Sequence, residues 1–264
     1  MAKIIAFANQ KGGVGKTTSS INLAACLSAA EKRTLLIDLD PQGNASSGVG
    51  MMDRSKYTDK SIYQAIVGNI PMEEAIYKVN DLPFLDVCPS DNNLAGAEVE
   101  LAINPIGNNV RLKKAIGQIA HRYDYIIIDC PPSLGLLSIN ALCAAHKFVV
   151  PMQTEYYSLE GLTQLMNTVN LIQESANPGL ELEGILLTLY DKRLNLHRQV
   201  ATEVQNHFGD KVFEASIPRE AKIAESPSFG KPVILYDIES KGSLAYFALA
   251  KEMIMRERAK NNEG

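Results

Sequence analysis

The chain has 264 residues, of which 46% are hydrophobic, and carries a net charge of −4. This length is sufficient to bury one large α/β core, and no run of about 18 uncharged apolar residues is present to predict a membrane-spanning helix. The sequence enters an apolar strand pattern directly, so no signal peptide is expected. The four cysteines form no CxxC pair, which indicates reduced, buried thiols in a cytoplasmic protein.

Short apolar runs alternate with amphipathic stretches along the chain. Strands are predicted at 3–8, 34–38, 84–88, 125–129, 147–151 and 184–189. Helices are predicted at 17–30, 61–67, 110–122, 139–145, 159–174, 196–208 and 243–258. The stretches 42–50 and 217–232 are predicted as loops, and 261–264 as a frayed tail. Continuous apolar strands are typical of a sheet covered on both faces, so we predict an α/β fold. Residues 1–264 would form a single domain with a doubly wound, mostly parallel sheet.

A glycine-rich segment, 11–18, lies between the first predicted strand and the first predicted helix. In such a loop, backbone N–H groups and a helix N-terminus converge on phosphate oxygens. Lys16 is predicted to reach the terminal phosphates and Thr17 to bind Mg²⁺. The usual G-x-x-x-x-G-K-[ST] pattern would place its first glycine at Gln10, and an additional lysine, Lys11, stands at the loop entrance. The predicted nucleotide-binding residues of this loop are Lys11, Gly12, Gly13, Val14, Gly15, Lys16, Thr17 and Thr18.

Two predicted strands end in aspartate followed by turn residues. Asp129 is predicted to bind Mg²⁺ through a water. Asp40 is predicted to orient the attacking water as a catalytic residue and to be part of the metal site with Thr17 and Asp129. Asp38 lies two residues before Asp40 and is predicted to support the site from behind. The alternative interpretation of all three is that they are loop or cap residues beside prolines. The segments 41–48 and 130–135 are predicted to be switch loops ordered by a γ-phosphate.

The segments 9–18, 38–44, 124–135, 155–161, 217–219 and 224–232 together resemble the ParA/Soj family of chromosome- and plasmid-partitioning ATPases. This family belongs to the deviant-P-loop class that also contains MinD, and the resemblance runs from residue 4 to about 251. It implies slow, partner-stimulated ATP hydrolysis with Mg²⁺, and an ATP-dependent homodimer. It also implies that Lys11 reaches the partner subunit's nucleotide as a catalytic cation beside Lys16, and that Gly12 lies where the subunits approach. Pro218 would lie on the adenine side.

The same resemblance implies non-specific binding of double-stranded DNA by the ATP dimer, a ParB-type partner and a nucleoid-associated location. Residues 191–264 carry a net charge of +1 and the rest −5, which favours a basic surface but fits a solvated mixed-charge face equally well. Contacts to phosphates would be steeply salt-dependent. The predicted DNA contacts are Arg193, Arg198, Arg219, Lys222 and Lys241.

Two alternative functions use the same fold. A MinD-like membrane-cycling ATPase would need an amphipathic membrane helix at its C-terminal end, but the helix predicted at 243–258 mixes charges and lacks a bulky aromatic face. A metabolic enzyme of the nitrogenase-reductase or biotin-pathway kind would need cluster-ligating cysteines or a small-substrate pocket, and the cysteine positions do not match a cluster. We therefore expect a DNA-partitioning ATPase that does not bind membranes.

Overall fold

The computed structural model describes residues 2–103, 108–155 and 158–262. Within them, seven strands form one sheet in the order β3-β4-β2-β5-β1-β6-β7. Every neighbouring pair is parallel except β3–β4, which is antiparallel at one edge. The predicted α/β class and mostly parallel sheet are confirmed. The strands are β1 (Lys3–Phe7), β2 (Thr34–Asp38), β3 (Tyr77–Lys78), β4 (Leu85–Cys88), β5 (Tyr125–Asp129), β6 (Lys147–Gln153) and β7 (Glu181–Thr188).

Helices cover both faces of this sheet because successive residues of each strand point to opposite sides. Ile126 and Ile128 of β5 belong to one buried cluster, whereas Ile127 belongs to the other. The helices are α1 (Lys16–Ala29), α2 (Asn44–Gly48), α3 (Ile62–Val67), α4 (Leu94–Ile103), α5 (Arg111–Ile119), α6 (Leu136–Ala144), α7 (Ser158–Ser175), α8 (Asn195–Phe208), α9 (Ala221–Glu225), α10 (Val233–Tyr236) and α11 (Lys241–Asn262).

The strand register brings the predicted site together at one edge. Phe7 is level with Asp129 across the β1–β5 pair, and Asp38 is level with Asp129 across the β2–β5 pair. The glycine-rich loop leaves β1 at this same edge. Ligands of open parallel sheets bind beyond the carboxyl ends of the strands, so the candidate site lies there.

Several local predictions were wrong or incomplete. The stretch 42–50 is not a continuous loop because it contains α2, and 217–232 contains α9 followed by a 3-10 turn, Ser226–Phe229. The elements β3, α4 and α10 were not predicted, since β3 and α10 are too short for a periodic signal. Of the predicted tail 261–264, the first two residues continue α11, and 263–264 lie outside the described residues.

The four cysteines are free and buried, as predicted. Across residues 2–103, 108–155 and 158–262, no helix combines the length and apolar character needed to span a membrane.

Candidate nucleotide-binding site

The glycine-rich loop connects β1 to the first turn of α1. Gly13 and Gly15 have backbone φ angles of +74° and +82°. Residues other than glycine rarely adopt such positive φ angles. Neighbouring strands hold the loop's peptide groups. Gln153 Nε2 donates to the Gly13 carbonyl at 2.8 Å, and Thr188 Oγ1 donates to the Val14 carbonyl at 2.8 Å. The ends of β6 and β7 therefore restrain the loop in the conformation that meets the start of α1.

The two lysines of the loop lie in different environments. Lys16 is only 6% exposed, and its ammonium donates to the Lys11 carbonyl at 2.9 Å. Burial lowers the pKa of Lys16, an effect opposed by the negative charges of Asp129 and Asp40. The Lys11 side chain, in contrast, is 40% exposed and pairs with Glu155 at 2.5 Å. Lys16 thus belongs to the interior of the site, and Lys11 belongs to its surface.

Asp129 ends β5 directly behind the start of α1. It is fully buried, and its Oδ1 accepts a hydrogen bond from Ser20 Oγ at 3.0 Å. Among the described residues, Asp129 Oδ2 has no hydrogen-bond partner. Burial, with a smaller contribution from Asp38, raises the pKa of Asp129 to about 8, although the Thr17 and Ser20 hydroxyls act in the opposite direction. A carboxylate with an unpaired oxygen beside a threonine hydroxyl fits the oxygen ligands that Mg²⁺ prefers.

Asp38 anchors the segment that carries Asp40. Its Oδ2 accepts hydrogen bonds from the Ser46 amide at 2.7 Å and the Ser46 hydroxyl at 2.6 Å. The Ser46 hydroxyl oxygen in turn accepts from the Ser90 amide at 3.0 Å. Asp40 Oδ1 accepts from the Gln42 amide at 2.9 Å. Asp38 is thus linked through Ser46 to both α2 and the segment that follows β4.

A cleft of about 780 Å³ opens above these residues. Pro218 and Arg219 line its far side, and a backbone hydrogen bond from Tyr190 to the Ile217 carbonyl (3.0 Å) joins this segment to the end of β7. Leu189 also lines the cleft with a φ of +51°, an uncommon conformation for leucine. The cleft thus brings together residues predicted from distant parts of the sequence: Gly12, Gly13, Gly15, Lys16, Thr17, Thr18, Asp40 and Pro218.

Comparison with known proteins agrees with this arrangement. Residues 2–182 match the protein family described as AAA domain. The chain is 50% identical over 261 residues to the chromosome partitioning protein ParA of Myxococcus xanthus, covering 99% of this chain and 91% of that protein. It is 52% identical over 253 residues to the sporulation initiation inhibitor protein Soj of Bacillus subtilis, covering 96% and 98%. The chain belongs to the ParA/Soj family.

A solved relative of this ParA/Soj member carries nucleotide. The crystal structure of cobyrinic acid a,c-diamide synthase from Mycobacterium smegmatis, with bound ADP and magnesium, superposes with a TM-score of 0.85 at 34% identity. The alignment covers 98% of this chain and 97% of that one. The same protein has also been solved with an ATP analogue and magnesium.

The basic residues predicted to contact DNA in this ParA/Soj member are exposed or partly exposed, and Arg219 among them lines the cleft. The Arg193 side chain is 85% exposed and pairs with Asp191 at 2.6 Å, which holds the pKa of Asp191 well below its usual range. The amide of Lys241 donates to Glu220 at 3.2 Å, so the start of α11 adjoins the Arg219 segment. Lys222 and Arg198 complete the predicted set on α9 and α8.

Sequence reasoning missed residues that support the candidate site of this ParA/Soj member through hydrogen bonds, two of which, Thr188 and Tyr246, also line the cleft. The glycine-rich loop is held by hydrogen bonds from Gln153 and Thr188. The start of the Asp40 segment is held by the hydrogen bond from Ser46 to Asp38. Tyr246 of α11 is buried beneath the cleft, 3.3 Å from the Ser19 hydroxyl. A polar residue at the end of the predicted strand 184–189 was the available signal for Thr188, whereas Gln153 lies two residues beyond the predicted strand 147–151. Part of the family-like segment 155–161, residues 156 and 157, lies outside the described residues.

Proposed function

We propose that this chain is an ATP-dependent DNA-partitioning ATPase for a chromosome or plasmid. ATP binding with Mg²⁺ would produce a homodimer that holds DNA without sequence specificity, and hydrolysis stimulated by a ParB-type partner would release it. The observation that supports this most strongly is the single cleft shared by the glycine-rich loop, Asp40 and Pro218. Two relatives named as chromosome partitioning proteins are 50% and 49% identical to almost the whole chain, whereas the relative named as a synthase is 34% identical.

The phosphates would be bound by the loop amides and by the Lys16 ammonium. Thr17 and Asp129 would hold Mg²⁺, with Asp40 close by, and the unpaired Oδ2 of Asp129 supports this assignment. A bound cation would keep Asp129 ionised although burial raises its pKa to about 8. When bound, Mg²⁺ would neutralise charge on the β- and γ-phosphate oxygens.

Asp40 would orient the water that attacks the γ-phosphate. It lines the cleft while one of its oxygens is fixed by the Gln42 amide, which is the geometry expected of a group that positions a nucleophile. The segment 41–48 would be ordered by the γ-phosphate, so loss of that phosphate would alter the surface around the cleft.

Lys11 would connect nucleotide binding to dimerisation. In the isolated subunit it pairs with Glu155 at the surface, and in the dimer it would bind the partner's nucleotide phosphates instead. Among the described residues not adjacent in the chain, a Cβ added at Gly12 would lie within 4 Å only of Pro132, at 4.0 Å. The fold of the single subunit therefore leaves room for a Cβ at position 12. This supports the proposal that glycine is needed there because the two subunits come close together in the dimer.

Titration of labelled double-stranded DNA with and without ATP and Mg²⁺, at several salt concentrations, tests the proposed function. We expect binding only with ATP, weakening steeply with salt because each phosphate contact contributes about 0.9 to the log–log slope. Arg219→Glu should reduce DNA affinity. Lys114→Glu should not, because Lys114 lies on α5, which packs against α3 and α6. Absent or ATP-independent binding would contradict the proposal.

A further inference from the structure

The turn that follows Asp40 is held from outside by an arginine. Arg54 begins a 3-10 turn, Arg54–Tyr57, eleven residues beyond Gly43. Its Nη1 donates to the Gln42 carbonyl at 2.8 Å, and its Nη2 donates to the Pro41 carbonyl at 2.6 Å. One guanidinium therefore binds two consecutive carbonyl oxygens, a geometry that its planar set of donors suits and that a lysine ammonium cannot reproduce.

The backbone beneath Arg54 is shaped to receive it. Gly43 has a φ of +67°, and a Cβ at this position would lie 2.5 Å from both Cζ and Nε of Arg54. The Arg54 Nε is buried and has no hydrogen-bond partner among the described residues. Burying a donor without an acceptor is unfavourable. The hydrogen bonds from Nη1 and Nη2 to the Gln42 and Pro41 carbonyls must therefore offset this cost and hold the guanidinium against the turn.

This contact reaches the candidate catalytic carboxylate through one peptide unit. The Gln42 amide donates to Asp40 Oδ1 at 2.9 Å, while the Pro41 carbonyl of the same peptide unit accepts from Arg54 Nη2 at 2.6 Å. We propose that Arg54 is a positioning residue for Asp40: it fixes the 41–43 turn and thereby the orientation of the carboxylate that orients the attacking water. This inference rests on the proposed role of Asp40 in ATP hydrolysis.

The test compares Arg54→Ala and Arg54→Lys with the parent protein. Lys56→Ala is the matched control, because Lys56 lies in the same 3-10 turn and, within the part of the chain that the structure describes, its ammonium pairs with Asp53 alone, at 3.5 Å. Three quantities are measured: steady-state kcat and KM for ATP, ATP affinity by direct binding, and amide hydrogen exchange across 40–48 in the nucleotide-free protein. Thermal unfolding confirms that each variant is folded.

We expect Arg54→Ala to lower kcat by about tenfold, since a small misplacement of a catalytic group costs up to about a hundredfold in rate. ATP affinity should stay within about twofold of the parent because Lys16 and the loop amides are untouched. Exchange of the Gln42 amide should accelerate, and Arg54→Lys should give intermediate values. Lys56→Ala should match the parent in all three measurements.

Two results would overturn the inference. Unchanged exchange in Arg54→Ala would show that the arginine does not fix the turn, and unchanged or raised kcat with faster exchange would show that the turn does not position Asp40. A parent protein without ATPase activity would instead refute the proposed function and with it the positioning role, while the exchange data would still report whether Arg54 holds the turn.

Discussion

Replacing Ser46 with alanine tests how strongly the site depends on the buried Asp38 carboxylate. The substitution removes a 2.6 Å hydrogen bond from the Ser46 hydroxyl to Asp38 and leaves the Ser90 amide without its 3.0 Å acceptor. A hydrogen bond to a charged group contributes about 1.5–3 kcal/mol, and an unsatisfied buried donor costs about 1–3 kcal/mol. We expect the free energy of unfolding at pH 7.5 to fall by about 2–4 kcal/mol.

The loss of unfolding free energy in Ser46→Ala should be larger at neutral pH than at acidic pH. Burial raises the pKa of Asp38 to about 6, and hydrogen bonds from Ser46 partly oppose that rise. Because the folded protein holds this proton more tightly than the unfolded chain, the stability contributed by Asp38 is present at low pH. It is lost as the pH rises from about 4 to about 6, an effect of about 3 kcal/mol. Ser46→Ala raises the pKa further, so its cost should be smaller at pH 5 than at pH 7.5.

Urea unfolding of the nucleotide-free parent and variants at both pH values measures these differences. Ser47→Ala is the control, because the Ser47 hydroxyl donates to the Gly43 carbonyl at 3.1 Å and does not contact Asp38. A loss in Ser46→Ala no larger than that in Ser47→Ala, or a loss that grows towards pH 5, would refute the reasoning.

Three further predictions concern the nucleotide. Lys16→Ala should weaken ATP binding by about 10- to 100-fold, since one charge-assisted hydrogen bond is removed; calorimetric titration with ATP measures this, and parental affinity would exclude the assigned role. Asp40→Ala should retain ATP binding but release phosphate at a rate near background in a coupled assay, whereas parental turnover would remove Asp40 from the mechanism. Gly12→Val should leave the melting temperature unchanged, because among the described residues not adjacent in the chain a Cβ at this position would meet only Pro132, at 4.0 Å. It should nevertheless prevent ATP-induced dimerisation in light scattering, and a dimer of normal stability would show that this glycine lies away from the interface.

The sheet was predictable because its strands carry their own signal. A strand buried on both faces is continuously apolar, and β2 and β5 match the predicted bounds 34–38 and 125–129. Short elements depend on tertiary contacts instead. The sequence of α2, NASSG, has weak helix propensity, and its position follows from the Ser46 contacts with Asp38, which no local pattern announces.

The residues that line the candidate site could be chosen from the sequence for a similar reason. A glycine-rich loop followed by lysine and threonine, together with aspartates at strand ends, is a pattern typical of few other sites. Supporting residues were not predictable. Thr188 donates a hydrogen bond to the Val14 carbonyl of the glycine-rich loop, 174 positions away in the sequence. In the sequence, Arg54 has no feature that distinguishes it from an ordinary surface charge, and only the fold brings it to the 41–43 turn. A hydrogen bond between a backbone carbonyl and a side chain distant in the sequence produces no hydrophobic periodicity, so it cannot be predicted from one sequence.

The first strand of the chain lies inside the sheet, and this has a consequence for biosynthesis. β1 pairs only with β5 and β6 among the described strands, so its partners emerge from the ribosome more than a hundred residues after it. A nascent chain that ends before residue 125 carries the whole glycine-rich loop but lacks the strands that fix it. A ligand that binds at this loop would therefore stabilise only chains that have completed the central sheet, by mass action on the native state.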